Sequence, residues 1–388
     1  MVTLGRMTFL LVSFFVAALV TGLTIRLSHS YGEMMADHEL SGPQKFHTLA
    51  VPRIGGVGIV AGLLACTVVE WSINGPGQRT GMLLLLCGLP ALATGLIEDF
   101  TKAVSPGKRL AATALSAALA AWLMGALITR ADIPGIDWVV GTRLGAYALT
   151  ILMVAGVANS VNIIDGFNGL SSMCVSLMLL TFAYVAFQVG DTELALWALA
   201  GVGAALGFFV WNFPGGLIFL GDGGAYFLGF FTAEIAILLL VRHPQVSPLF
   251  ALMVCIYPVV ETLFSIYRRS FIRATPPGLP DGIHLHSLIF RRLLRWAVGA
   301  QDAKAITQRN SMTAPYLWMV CVCSLVPALL FWDSSPVLML FLMLFVAAYV
   351  VLYWRIVRFR TPRWLIIRNG FALGRAEVVL PRTPGKPE

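Results

Sequence analysis

Residues 219–241 read FLGDGGAYFLGFFTAEIAILLLV. From Gly224 to Val241 the only charged side chain is Glu234, and an apolar stretch of this length spans a bilayer as a helix. Immediately before it stands one carboxylate, Asp222, between Gly221 and the pair Gly223-Gly224. A lone acid at the mouth of a hydrophobic helix is unfavourable unless a cation or hydrogen-bond donors meet it. The flanking glycines let the backbone approach a ligand and adopt conformations that a Cβ would forbid. A carboxylate in that setting suits a hard divalent cation, which can in turn bridge phosphates. No Gly-Lys-Ser/Thr follows, which excludes the phosphate-binding loop of nucleotide hydrolases.

The rest of the chain repeats the apolar half of that pattern. Of 388 residues, 58% are hydrophobic and 12% charged, against about a quarter charged in soluble domains. Apolar runs lie at 7–27, 54–73, 81–97, 110–129, 139–161, 169–188, 193–210, 224–241, 247–267, 314–331 and 336–354. They predict an all-α polytopic integral membrane protein with about 11 transmembrane helices. The first run has no small-residue cleavage site followed by a polar stretch, so it reads as a span and not a signal peptide.

Lysine and arginine set the orientation. With the N-terminus outside, all 27 of them fall on the inner side except Arg6, Arg79, Arg130, Arg143 and Arg242. The expected organisation is a transmembrane domain over 1–354 and a basic cytoplasmic tail over 355–388. The net charge of +8 is then mostly cytoplasmic and suits anionic headgroups and anionic substrates. Nucleic acid is not an expected partner, since no soluble module is there to bind it. The six cysteines lie in apolar runs without metal-site spacing and are expected to pack. Gly203-x-x-x-Gly207 reads as a close helix contact.

Residues able to carry chemistry gather on the inner side in five segments. Lys45 and His47, ahead of Pro52 and Gly55-Gly56, can meet an anion or a base. Glu98 and Asp99 are adjacent at a membrane boundary and repel unless a cation or a shared proton relieves them; Lys102, Lys108 and Arg109 follow. Asn159, Asn162, Asp165 and Asn168 recur every third residue, so neighbours share a helix face and the ends of the series do not. Gly166 and Gly169 predict that the helix breaks near Asp165 and aims these groups into a cavity. Asn212 leads into the Asp222 segment. His284 and His286, with Arg291 and Arg292 behind them, suit a diphosphate. Glu234 and Glu261 are intramembrane acids and functional candidates for that reason; Glu261 can pair with Arg268, about two turns on. The expected site is a cleft on the cytoplasmic face that takes one lipid substrate and one soluble phosphate compound.

The order of these segments resembles the polyprenyl-phosphate N-acetylhexosamine-1-phosphate transferases. The resemblance runs from about residue 40 to 295. It rests on K-x-H-x-x-x-x-P-R-x-G-G at 45–56, the acidic pair at 98–99, N-x-x-D-G-x-x-G-L at 162–170, N-x8-G-D-G-G at 212–224 and D-G-I-H-L-H at 281–286. It implies an enzyme in which an oxygen of undecaprenyl phosphate attacks the β-phosphorus of a UDP-N-acetylhexosamine and UMP leaves. It further implies Mg²⁺ (or Mn²⁺) held by Asp222, and Asp99 receiving or holding the proton of the lipid phosphate. Asp165 and Asn162 would form the catalytic floor, with Asn212 and Lys45 at the nucleotide and His284, His286 and Arg291 at the diphosphate. Lys102, Lys108, His47 and Asn168 complete the substrate-binding set, and Glu98 joins the catalytic one. A bacterial inner-membrane location, contact with membrane lipids and a homodimer are the family's habit.

Three positions depart from the family pattern. Glu98 stands where the first acid of the pair is usually Asp, Asn168 replaces an Asp, and Ser287 replaces a His. The last change points away from the pentapeptide-bearing substrate and towards initiation of an O-antigen, capsule or similar surface glycan. A transporter would continue its polar groups through several spans, and here they stop at the inner boundary. A CDP-alcohol phosphotransferase needs a second Asp cluster after the D-G at 165–166, which is missing. An inactive scaffold would tolerate loss of the acids, yet Asp99, Asp165 and Asp222 are all present.

Overall fold

The computed structural model describes residues 2–30, 51–272, 283–293 and 303–358. It is all-helical, with no β-strand among the described residues. The long helices are α1 (Val2–Ser30), α2 (Gly56–Ser72), α3 (Gln78–Thr101), α4 (Pro106–Leu123), α6 (Arg143–Ile164), α7 (Leu170–Gln188), α8 (Thr192–Asn212), α9 (Gly221–Arg242), α10 (Pro248–Tyr267), α12 (Ala303–Leu330) and α13 (Ser335–Val357). Two short ones, α5 (Ile136–Val140) and α11 (Leu285–Leu288), complete the set, and a π-helical turn extends α10 over Arg268–Ile272.

Every apolar run lands on a long helix. Nine of these helices are long and apolar enough to cross a membrane. The α2 helix is shorter, and α4 is alanine-rich with Lys108 and Arg109 in its first turns. The run expected over 110–129 stops as helix at Leu123, and Gly125 follows with φ +66°. The tail beyond Arg358 lies outside the described residues.

The sequence explains which helix lies at the centre. In α9 apolar residues occupy all sides, and a helix without a polar face has to be surrounded. Every residue from Gly221 to Leu239 is buried, and α9 packs on α2, α3, α4, α6, α7 and α8. Close approach elsewhere comes from small residues, as membrane helices require. A Cβ on Gly203 would lie 2.2 Å from the Leu10 carbonyl oxygen, and one on Gly207 2.4 Å from that of Phe14, so α1 lies directly on α8 as Gly203-x-x-x-Gly207 predicts. Five of the six cysteines are buried in the packing and Cys323 is exposed. Glu234 is fully buried in α9, and its carboxyl oxygens have no hydrogen-bond partner among the described residues.

One end of the bundle is closed by ion pairs. Asp191 caps α8 through the Leu194 amide (2.9 Å) and pairs with Arg242 (3.3 Å) and His243 (3.0 Å), while Glu193 holds Arg242 (3.2 Å) and accepts from Thr80 (2.6 Å). The opposite end gathers the C-termini of α3, α6 and α8 and the N-termini of α4, α7 and α9, and it carries the candidate site.

Candidate active site

The first turn of any helix leaves backbone N–H groups without intrahelical partners. At the start of α9 the carboxylate of Asp99, two residues before the end of α3, supplies them. The Asp222 amide donates to Asp99 Oδ1 (2.9 Å) and the Gly223 amide to Asp99 Oδ2 (3.0 Å). The glycines around Asp222 serve that approach. A Cβ on Gly56 would lie 2.3 Å from the Gly224 Cα, and one on Gly95 2.4 Å from the Gly223 Cα. Gly221 adopts φ +76° and faces the Arg53 carbonyl. Short backbone pairing from Phe219 to Pro52 (2.9 Å) and from Gly55 to Phe219 (3.0 Å) fixes the Pro-Arg-x-Gly-Gly segment to the same place. The glycines therefore bring α9 against α2 and α3; the sequence suggested close approach to a ligand.

Asp222 itself is held by two side chains. Asn162 Nδ2 donates to its Oδ1 (3.1 Å), and Arg109 Nη1 forms a short ion pair with its Oδ2. Arg109 sits in the first turn of α4, where the helix dipole disfavours a cation. Asp222 and Glu98 (3.9 Å) offset that cost. Ser105 and Pro106, read from sequence as a turn, are the start of α4. Lys102 at the C-cap of α3 and Lys108 are exposed. Glu98 accepts from the Val104 amide (2.7 Å), so the two adjacent acids point to different partners and do not share one cation.

The α6 helix ends at Ile164, as the glycines at 166 and 169 predict. Asp165 then accepts a short hydrogen bond from the Ser171 hydroxyl at the start of α7. Burial pushes the Asp165 carboxyl up to about 6; Ser171 and Arg53 pull it down, and Asp222 adds to the rise. Beside it, a Cβ on Gly166 would lie 3.2 Å from His286 Nε2, and the Phe167 ring lies 5.3 Å from that of His286. The Asp-Gly turn and the His-x-His segment, more than a hundred residues apart in the chain, therefore touch. His284 stacks on His286 (5.1 Å) and meets Glu261 in α10 through Nδ1 (2.9 Å). Glu261 thus pairs with His284; Arg268, the partner suggested by sequence spacing, instead donates to the Ile283 carbonyl (3.0 Å) and the Tyr353 hydroxyl (2.6 Å).

Two of the sequence candidates join loops. The Asn168 amide N–H donates to Asn310 (2.8 Å) and its side chain to the Pro214 carbonyl (3.1 Å) and Ser311 (3.3 Å). Asn212 accepts from the Gly169 amide and donates to the Ile218 carbonyl (2.7 Å). Both are buried. Arg291 is exposed on a π-helical turn. Lys45 and His47 lie outside the described residues. Arg53 and Arg109 were not among the site residues expected from sequence. Arg109 follows the acidic pair at 98–99 in sequence, whereas Arg53 stands in the Pro-Arg-x-Gly-Gly segment with no acid beside it.

The donor set suits a hard divalent cation of the kind that keeps several waters and takes phosphate oxygens as further ligands. Asp222 and Asp165 are the carboxylates that could meet such a cation; Asp222 now accepts from Asn162 Nδ2 (3.1 Å) and pairs with Arg109, so a cation would replace one of these partners. Among the described residues no group of three His, Cys, Asp or Glu is placed to hold a metal.

The profile of glycosyl transferase family 4 matches residues 82–240, which span α3 to α9. A probable undecaprenyl-phosphate N-acetylglucosaminyl 1-phosphate transferase of Bacillus subtilis (strain 168) is 28% identical over 294 residues, 72% of this chain and 77% of that protein. An undecaprenyl-phosphate alpha-N-acetylglucosaminyl 1-phosphate transferase of Thermotoga maritima is 28% identical over 253 residues, 65% and 72% of the two chains. A phospho-N-acetylmuramoyl-pentapeptide-transferase of Bacillus mycoides (strain KBAB4) is 30% identical over 219 residues, 54% and 67%. With its acidic, amide and basic motifs assembled at one end of a helical bundle, the chain belongs to glycosyl transferase family 4.

Proposed function

We propose that this protein transfers a sugar-1-phosphate from a UDP-N-acetylhexosamine to undecaprenyl phosphate, releasing UMP and starting a lipid-linked surface glycan. The observation that carries the reading is the cluster Asp222–Arg109–Asn162 at the start of α9, with His286 against the Asp165–Gly166 turn. The names of the relatives agree with it. A phosphate oxygen of the lipid attacks the β-phosphorus, the bond from that phosphorus to the bridging oxygen breaks, and the electron pair leaves with UMP. The second pKa of a phosphate monoester is near 6, so at neutral pH the lipid phosphate needs little help from a base. The residues therefore act by position and charge. Arg109 and the histidines hold the diphosphate, Asn162 orients Asp222, and Asp99 holds the first turn of α9 in place. Mg²⁺ held by Asp222, Asn162 and Asp165 would supply the remaining neutralisation of the diphosphate. We place this end of an eleven-span, N-out bundle at the cytoplasmic face of the inner membrane, where the lysines and arginines concentrate.

The test is UMP release by the purified protein with undecaprenyl phosphate, Mg²⁺ and a panel of UDP-N-acetylhexosamines. Release with one donor, and a raised donor KM in His286→Ala, is the expected result; silence with every donor would overturn the reading. A second expectation concerns pH. Asp165 gains a proton as pH falls through about 6, and turnover should fall with it. The lipid phosphate titrates in the same range, so the wild-type profile alone does not separate the two. Ser171→Ala removes a donor that favours the ionised Asp165 and should move the acid limb to higher pH. An unmoved limb would assign it to the lipid.

A further inference from the structure

We propose that Glu261, braced by Tyr349, is a positioning residue that fixes the His284 ring against the donor diphosphate; this rests on the transferase reading above. Glu261 is 1% exposed, and both of its oxygens are engaged. Oε1 takes His284 Nδ1 (2.9 Å) and the Leu285 amide (3.1 Å), and Oε2 takes the Tyr349 hydroxyl (2.7 Å). The Leu285 amide donates to one oxygen and the Tyr349 hydroxyl to the other, so neither oxygen has room for a proton of its own and the ionised form fits this setting. Glu261 is therefore a carboxylate, and the hydrogen of the shared bond sits on Nδ1. With Nδ1 held by Glu261 the orientation of the His284 ring is fixed, and a hydrogen on Nε2 in the substrate complex would donate to a phosphate oxygen.

A purely structural role accounts poorly for a charge at this depth. Replacing a buried charged group by a well-packed apolar one is often neutral or stabilising, and the segment has other anchors. Arg268 and Tyr353 both donate to the Ile283 carbonyl (3.0 and 3.1 Å), and the Arg268 guanidinium lies 5.3 Å from the centre of the Tyr353 ring. Arg292 donates to the Ile356 carbonyl at the end of α13 (2.9 Å). These contacts seat the backbone of the His-x-His segment on α10 and α13 without Glu261. What Glu261 adds is the orientation of the ring. The consequence reaches the Asp165 turn, because His284 stacks on His286 and His286 fills the space left by Gly166. The α13 helix, which lies beyond the family match, acquires a role through Tyr349.

The experiment uses the full chain in detergent or nanodiscs and the UDP-sugar that the wild type accepts. Glu261→Gln keeps shape and hydrogen bonding to the segment and removes the charge. It should lower kcat/KM for the donor about 10- to 100-fold, the usual loss when a partner behind a functional histidine is removed, with little change in melting temperature. His284→Ala should cost a similar factor, and the Glu261→Gln/His284→Ala double variant should be no worse than His284→Ala alone, because residues that act as a unit are not additive. Multiplying losses in the double variant, or a Glu261→Gln enzyme equal to the wild type, would overturn the proposal while leaving the transferase reading intact. Tyr349→Phe removes one hydroxyl and carries the test if Glu261→Gln does not fold; wild-type activity in it would overturn the brace. A wild type that releases no UMP overturns the transferase reading, and this positioning role with it.

Discussion

Asp222→Asn should lower UMP release by about a thousandfold or more, the scale seen when a group that neutralises transition-state charge is lost, and the protein should still fold. The asparagine is the same size, and its oxygen still accepts from Asn162. Arg109 keeps Glu98 as a neighbour at 3.9 Å. Both side chains of the Arg109–Asp222 pair retain some exposure, 19% and 13%, so screening limits the stability cost to about 1–2 kcal/mol. The chemistry loses more. A neutral amide neither attracts a divalent cation nor holds Arg109 at the mouth of α9. Measuring UMP release and the melting temperature side by side separates the two effects. Turnover retained by Asp222→Asn with Mg²⁺ would remove Asp222 from the metal and from the centre of the site.

That prediction rests on a residue whose importance could be read from the sequence, because a carboxylate beside a long apolar run is costly unless a cation or a donor meets it. The spans could be read on similar grounds: runs near the length of a bilayer crossing have one economical fold. The boundaries were less legible where composition is ambiguous. The alanines of α4 are apolar enough to extend a run to residue 129, but Gly125, at positive φ, follows close on the last turn. Pairings across the chain were the least legible. Glu98 and Asp99 look like a couple in sequence, yet Asp99 meets the amides of α9 and Glu98 the amide of Val104. Glu261 lies at helical spacing from Arg268, but the chain returns after the π-helical turn and delivers His284 to it. Asn168 and Asn212 have the polarity of binding residues, and their hydrogen bonds to the Pro214 and Ile218 carbonyls, which join loops, could not be read from spacing. Periodicity reports which face a residue shares with its own helix; it does not report what the next helix places opposite.

Gly221→Ala should be the most damaging glycine-to-alanine change among the described residues. Gly221 has φ +76°, a left-handed conformation that costs an alanine about 1–2 kcal/mol. The added Cβ would stand 1.9 Å from the Arg53 carbonyl oxygen and 2.6 Å from Asp99 Oδ2. The first of these neighbours is backbone held by the Phe219 pairing, and the second accepts from the start of α9, so neither can move without breaking a hydrogen bond. Overpacking of this kind adds roughly 1–3 kcal/mol to the conformational cost. A total on the order of 4 kcal/mol corresponds to a melting-temperature drop of about 5–10 °C. Activity should fall further than stability at the assay temperature, because the displaced groups are the ones that seat Asp222. Gly215→Ala is the control: it lies in the same connection, has no positive φ, and its Cβ would meet nothing closer than Leu217 at 3.7 Å. Thermal unfolding of both variants in detergent decides the matter. A Gly221→Ala protein that melts and turns over like Gly215→Ala would mean that α9 does not start against Arg53 and Asp99, and the assembly of the site around that contact would be wrong.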